Sequence, residues 1–385
     1  MAMKLSRRWL IQGAGGAGLA LIGAGGYFVA TRTPTRAIAA WGEVDTAPPA
    51  DVRLDAFRHA ILAPNPHNRQ PWLIKLTGDA TATVYCDLAR RLPHTDPFDR
   101  QILMGFGCFL ETARIAAAER GFAMDIAPFP DGLPAARLDA RPIARLQFAA
   151  SAMAVKDPLF AAIPNRRSSK QPFQTDRPVD SATLRKITDH GSPVALAASS
   201  NDAALVKAVR AYTWDAWMIE LQTQRTWQES VDLMRIGKHE IEANPDGISL
   251  GGPFLEVLAA AGQLSREQIA QPGTQAHKSG VDRYRAIMDS GMAYAWITTK
   301  GNSRLDQLEA GRVYVRMNLE AARQGLGFHP VSQALQEFPE MGQVFSDVHN
   351  TLGAKNEARV QMLVRLGYGT PVSRSPRWPL QSRLI

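Results

Sequence analysis

The sequence predicts an α+β fold made of two similar halves, and three observations lead there. Two stretches, Gln101–Gly121 and Leu305–Gly325, read as long helices, the first apolar on most faces and therefore expected to be buried. Each stands among short runs with strand character. The two also end alike, Ala117-Ala118-Glu119-Arg120-Gly121-Phe122 against Ala321-Ala322-Arg323-Gln324-Gly325-Leu326, with glycine where helices commonly stop. Matching element order and a shared ending suggest an internal duplication. Chance likeness between two buried helices is the competing reading.

The elements follow in order. Val52–Leu62 has apolar residues near helical spacing. A Pro/Asn-rich turn spans Pro64–Pro71, then Trp72–Leu76 and Ala82–Asp87 read as a strand pair. Strands are expected near Met124–Ala127 and Ile143–Phe148. The second half begins near Pro164, with a helix at Leu184–His190, a strand at Met292–Thr299 and a late strand at Gln361–Leu366. Between them lies an excursion of about residues 205–290, rich in Trp, Met and Gln and broken by Asn244-Pro245-Asp246-Gly247 and Gly251-Gly252-Pro253. It reads as a helical lid or as a surface decoration.

The chain has 385 residues, a formal net charge of +8 and two cysteines. Lys4, Arg7, Arg8, Arg32 and Arg36 all precede the first acid, Glu43, so the basic balance is partly a property of the N-terminus. No basic stripe with interleaved aromatics occurs, and nucleic acid is not expected as a partner. Cys86 and Cys108 form no CxxC or zinc spacing. They read as two buried thiols or as one disulfide. No HExxH, GxSxG or P-loop is present.

Residues 1–39 read as an address. Arg7-Arg8 precede a stretch from Trp9 to Ala30 without charge, and seven of residues 13–26 are glycine. That pattern resembles a twin-arginine signal, read by the twin-arginine export machinery that carries folded proteins outward. Ala37-Ile38-Ala39 offers a cleavage site. Left uncut, the uncharged stretch is long enough to anchor the chain in a membrane facing the periplasm. Gly13-Ala14-Gly15-Gly16-Ala17-Gly18 matches GxGxxG but lacks the strand, helix and acid of a dinucleotide site. Residues 40–50 read as a linker, 51–163 as the first half and 164–385 as the second.

Three segments carry chemistry. Arg166, Ser168 and Lys170 alternate, and period-two spacing puts them on one face. Two cations and a hydroxyl there suit a phosphate and a polyol, although a solvated basic loop has the same composition. Arg167 and Ser169 are expected to face the other way. The turn Pro64-Asn65-Pro66-His67-Asn68-Arg69-Gln70-Pro71-Trp72 is rigid and offers amides to a planar heterocycle; a plain turn with Trp72 in the core is the alternative. The third segment is the tail Arg374-Ser375-Pro376-Arg377.

Asn68-Arg69-Gln70-Pro71-Trp72 after an Ala-Pro turn, Arg-x-Ser-x-Lys before a helix, Ala-Ala-x-x-Gly-Leu-Gly at 321–327 and a late Gly-Tyr-Gly with an arginine-bearing tail resemble the nitroreductase family. The resemblance covers most of residues 50–380. It implies FMN as cofactor, bound between subunits of an α+β dimer. Here the turn lies in the first half and the phosphate motif in the second. That order implies two fused repeats forming a pseudo-dimer around central long helices, with one flavin site, as in the duplicated Acg-type group. By position, Arg166, Ser168 and Lys170 would meet the phosphate, the ribityl chain and the pyrimidine edge. Pro64, Asn65, Pro66 and Asn68 would line the ring, Pro330, Ser332 and Gln333 the N5 side, and Arg374 and Arg377 would complete the phosphate grip. The resemblance implies an FMN-dependent oxidoreductase with a nitroaromatic or quinone-like acceptor, or a protein that holds FMN with little turnover. No metal is implied, and the electron donor is open.

Overall fold

A computed structural model describes residues 31–385. The arginine pair and the uncharged stretch read as a signal fall within residues 1–30, outside the described residues. Ten strands are described: β1 (Trp72–Thr77), β2 (Thr81–Cys86), β3 (Phe122–Pro128), β4 (Ala144–Ala150), β5 (Ala195–Ser200), β6 (Met234–Ile236), β7 (Ile248–Leu250), β8 (Ala293–Thr299), β9 (Gly327–Pro330) and β10 (Arg359–Gly367).

Two four-stranded antiparallel sheets carry the molecule. The first runs β1-β2-β4-β3 and the second β5-β8-β10-β9. In each, the order along the sheet is first, second, fourth, third. In each, a helix of 20 residues follows the second strand: Arg100–Glu119 in one half, Arg304–Arg323 in the other. Alternation along β4, buried at Ala144, Leu146 and Phe148 and exposed at Arg145 and Gln147, turns one face inward. β10 is buried on both faces from Val360 to Gly367 and reads as an unbroken apolar run apart from Gln361 and Arg365.

The two long helices lie against each other at the centre. Their closest approach is at Gly107 and Gly311. A Cβ on Gly107 would strike the Leu308 carbonyl, and one on Gly311 would strike the Met104 carbonyl. Only glycine lets two helix backbones meet at that distance. One apolar core, including Phe57, Trp72, Phe106, Phe109, Val313 and Phe328, runs through both halves around this pair.

The stretch 205–290 differs from a detachable lid. Val206, Val209 and Ala216 of the helix Ala203–Gln222, and Ile287 and Met288 of the helix Gln275–Asp289, belong to a second core cluster with Val344 and Leu363. Only the middle, with its own small cluster of Val231, Met234 and Ile269, stands apart as a cap. The 40–50 stretch also departs from a plain linker. Ala40–Glu43 is a short helix, and Trp41 is fully buried. Burial of an indole outweighed the Ala/Pro-rich composition around it. Cys86 and Cys108 are free and buried.

Candidate functional site

The Pro64–Trp72 turn holds His67, Asn68 and Gln70 at φ of 44°, 52° and 49°. Left-handed backbone at non-glycine residues costs about 1–3 kcal/mol each and persists only where the surroundings over-determine it. Here they do. Gln70 donates its backbone N–H to Asn65 Oδ1 at 2.7 Å. Its side chain donates to the Pro245 carbonyl at 2.8 Å and accepts from the Trp378 N–H at 2.9 Å. Asn68 donates to the Pro376 carbonyl at 3.0 Å and accepts from Arg377 at 2.6 Å. The turn is thus clamped by the tail and by the Asn244–Gly247 break of the cap.

Pro64, Asn65, Pro66, Ser168, Pro330 and Ser332 converge on one cavity of about 70 Å³. Its remaining wall comes from the two long helices, including Gln101, Met104, Gly105 and Cys108 of the first and Tyr314 of the second. Ser332 donates to Gln101 Oε1 at 2.9 Å, joining the wall of the second half to the first. Asn68 does not line this cavity, because its amide is spent on the tail. A larger open depression of about 300 Å³ lies between Arg91–His94 and the helix Gln224–Asp232. Its polar groups already satisfy one another: Glu229 accepts from His94 and Thr95, and Arg225 is paired with Glu340. None of the sequence-predicted residues reaches it.

Beside the smaller cavity stands a cluster of arginines. Arg166 is buried; it donates to Asn318 Oδ1 and to the Leu62 carbonyl, both at 3.0 Å. Arg377 is buried too and donates to the Leu62 and Ala63 carbonyls at 3.1 and 3.2 Å. Its Nε is buried and unpartnered. Both guanidiniums, and that of Arg167, lie over the Trp41 ring, at 5.9, 5.5 and 4.6 Å from its centroid for Arg166, Arg377 and Arg167. Arg167 therefore shares the face used by Arg166 rather than pointing away, since a long side chain can curl around an extended backbone. Ser169 does face inward elsewhere, its N–H donating to the Phe328 carbonyl. Arg374 stands at the rim, 3.9 Å from Asp45.

The electrostatics of the cluster are unusual. Burial pushes the Arg166 guanidinium down to about 10, and Arg167 beside it adds to the effect. Arg377 is held well below its ordinary range by burial, then by Arg166 and Arg167. Among the described residues no carboxylate counters these three cations. A buried charge without a counter-charge is costly.

Lys170 is exposed. Glu220, on the helix Ala203–Gln222, is buried and feels its charge. Glu220 accepts from Ser230 Oγ at 3.0 Å and from Gln336 Nε2 at 2.8 Å. Burial pushes its carboxyl up to about 7 against those bonds. Gln333 lies in the short turn Ser332–Leu335, where it meets the Tyr284 hydroxyl. Trp41 and Glu220 were not singled out in the sequence, and Arg167 was expected to face away. The only signal was an indole in an otherwise Ala/Pro stretch and an acid on an apolar helix.

Two antiparallel sheets about a helix pair, with an acid-free cation cluster beside the helix seam, define an α+β protein with buried positive charge at its centre. Residues 163–368 match the Nitroreductase family, more than half of the chain, and the chain belongs to that family. It is 31% identical over 178 residues to "Putative NAD(P)H nitroreductase acg" of Mycobacterium tuberculosis, covering 44% of this chain and 52% of that protein. The match thus spans about half the length of that relative. A second protein of that organism, "Putative NAD(P)H nitroreductase Rv3131", is 23% identical over 342 residues, covering 87% of this chain and 90% of its own. Among solved structures, the FMN and NADPH-dependent nitroreductase NfnB of sphigopyxis sp. strain HMH aligns with 14% identity and a TM-score of 0.37, over 59% of this chain and 97% of that one.

Proposed function

We propose that the protein is an FMN-dependent oxidoreductase of nitroreductase type, acting outside the cytoplasm on a nitroaromatic or quinone-like acceptor. The acid-free arginine cluster beside the helix-seam cavity carries this reading. The unpartnered Arg377 Nε and the uncountered charges of Arg166 and Arg167 suit the dianionic phosphate of FMN. Ser168, Pro64, Asn65 and Pro66 line the cavity, which at about 70 Å³ is smaller than an ordinary cofactor pocket, so the ring and ribityl chain would enter as its walls part. Lys170 would hold a positive charge at the pyrimidine edge, where it favours an anionic reduced ring. Pro330, Ser332 and Gln333 would face the opposite edge, and Arg374 would close the phosphate side. When bound, FMN supplies the two-electron chemistry. The chain binds it, orients it and keeps water from its ring.

The shared strand order and the equal helices support a fused pair of halves. With the turn in one half and the phosphate motif in the other, such a pair forms one flavin site. Arg7-Arg8 and the uncharged stretch after them support export in the folded state. Outside the cytoplasm NADH and NADPH are not expected, so the donor in this reading is a quinol or a redox partner.

One observation favours a second reading, in which FMN is held without turnover. Asp246 of the cap accepts from Arg90 at 2.6 Å, Arg235 at 2.9 Å and Trp378 at 3.0 Å, pinning the cap to the turn and tail. The visible absorption spectrum of the protein from its exported fraction tests both. Oxidised-flavin bands, with FMN released on denaturation, support a flavin role. A colourless protein that fails to take up added FMN overturns it. Turnover with menadione or a nitroaromatic then separates enzyme from store.

A further inference from the structure

The helix Pro253–Ala260, Pro-Phe-Leu-Glu-Val-Leu-Ala-Ala, has no buried residue. Phe254 is 72% exposed and Val257 53%. Its one charged residue points the other way. Glu256 is 15% exposed at its side chain, accepts from the Lys238 N–H and lies 3.9 Å from Arg32. A helix in water turns charge outward and apolar groups inward; this one does the reverse. The small core of the cap does not include it.

Its neighbour in space, on the Glu256 side, indicates where the helix stands. Lys238 donates to the Thr31 carbonyl at 3.0 Å, and Arg32 pairs with Glu256, so residues 31–32 lie on this helix. The sequence immediately before them, Trp9–Ala30, has no charge and is longer than the roughly 20 apolar residues that span a bilayer. One or two residues extend at most about 3.6 Å each. If the Trp9–Ala30 stretch is retained and crosses a bilayer, the chain emerges within two residues of these contacts, and Pro253–Ala260 then stands near the membrane surface. The tie is firm on the protein side: the Arg377 N–H donates to the Ala37 carbonyl at 2.7 Å, and Arg36 donates to Glu242 at 3.2 Å.

We propose that Pro253–Ala260 is a membrane-docking helix whose partner is the lipid bilayer, so that the cap rests on the membrane beside the N-terminal segment. The proposal does not depend on flavin. Should both readings hold, a lipid-dissolved donor reaches the cap without crossing water.

The test uses the full chain in vesicles of phosphatidylethanolamine and phosphatidylglycerol. Cys86 and Cys108 are buried, so an environment-sensitive fluorophore on Val257→Cys labels one place. Met153→Cys, on a loop where Met153 is 86% exposed, is the control. Nitroxide-bearing lipids are expected to quench the Val257 probe several-fold more than the Met153 probe. Equal quenching at the two positions overturns the proposal. A Val257 probe that is blue-shifted yet unquenched also overturns it, because residues 9–30 or a second copy then cover the helix. Adding Phe254→Asp to Val257→Cys is expected to bring quenching down toward the control with circular dichroism and flavin content unchanged. Undiminished quenching in that variant counts equally against it.

Discussion

At the scale of residues, the proposed flavin site turns on the arginines and Trp41. A charge-assisted hydrogen bond is worth about 1.5–3 kcal/mol, so Arg377→Gln should weaken FMN about 10–100-fold. Riboflavin, which lacks the phosphate, should bind the variant and the parent alike; titration of flavin fluorescence measures both. Trp41→Phe should retain the fold and lose the indole N–H bond to the Ser375 carbonyl, 2.7 Å in the parent. Glu220 sets a pH dependence. Its folded carboxyl titrates at about 7 against an ordinary 4.5. The folded state therefore keeps a proton that the unfolded chain loses first. The stabilisation is full below about 4.5 and is lost as pH rises to about 7, by about 3 kcal/mol at 1.36 kcal/mol per unit. Denaturant melts should show a fall over that window, and Glu220→Gln should flatten it. The buried, unpartnered Gln336 Oε1 could accept from the new amide after a flip, so the variant is expected to fold.

At the scale of elements, the helix seam and the cap answer to single residues. Gly107→Leu would drive a side chain into the Leu308 carbonyl. Overpacking of this kind costs about 1–3 kcal/mol, more where backbone must move, and a lowered melting temperature with loss of flavin is expected. Gly42, with open space around it, is the control for the same substitution. Asp246→Ala leaves Arg90 and Arg235 without their shared carboxylate. Breaking a buried pair by removing one partner costs about 3–5 kcal/mol. Hydrogen exchange over 234–250 should speed up while β8 and β10 stay protected. If the cap limits access, acceptor turnover rises; unchanged exchange would show that Asp246 does not hold the cap.

At the scale of the whole molecule, both halves contribute to one site. Arg166 reaches Leu62 and Arg377 reaches Asn68, so the second half supplies cations to carbonyls and amides of the first. The expected loading is one FMN per chain, measured by absorbance of released flavin against protein. Two per chain would show that a mirror site also functions. The one core running through both halves predicts a single cooperative unfolding transition.

How much of this was legible in advance follows from range. Local chemistry sufficed for the long helices, the hairpin β1–β2 and the strands β3, β4, β8 and β10, because apolar period and glycine stops act over a few residues; β5, β6, β7 and β9, which are short or poor in β-branched residues, and the order of strands within each sheet were not legible there. The family resemblance, carried by short motifs, put Pro64–Pro66, Ser168, Pro330 and Ser332 among candidates for a site. Only the tertiary structure brought them to one cavity and took Asn68 away to the tail. It also drew Trp41 out of a Pro/Ala-rich stretch into the arginine cluster, placed Arg167 beside Arg166, and buried Glu220 against Gln336. Those outcomes depend on contacts between residues hundreds of positions apart. A guanidinium takes whatever face and carbonyls the fold brings within reach, and neither spacing nor composition records that distance.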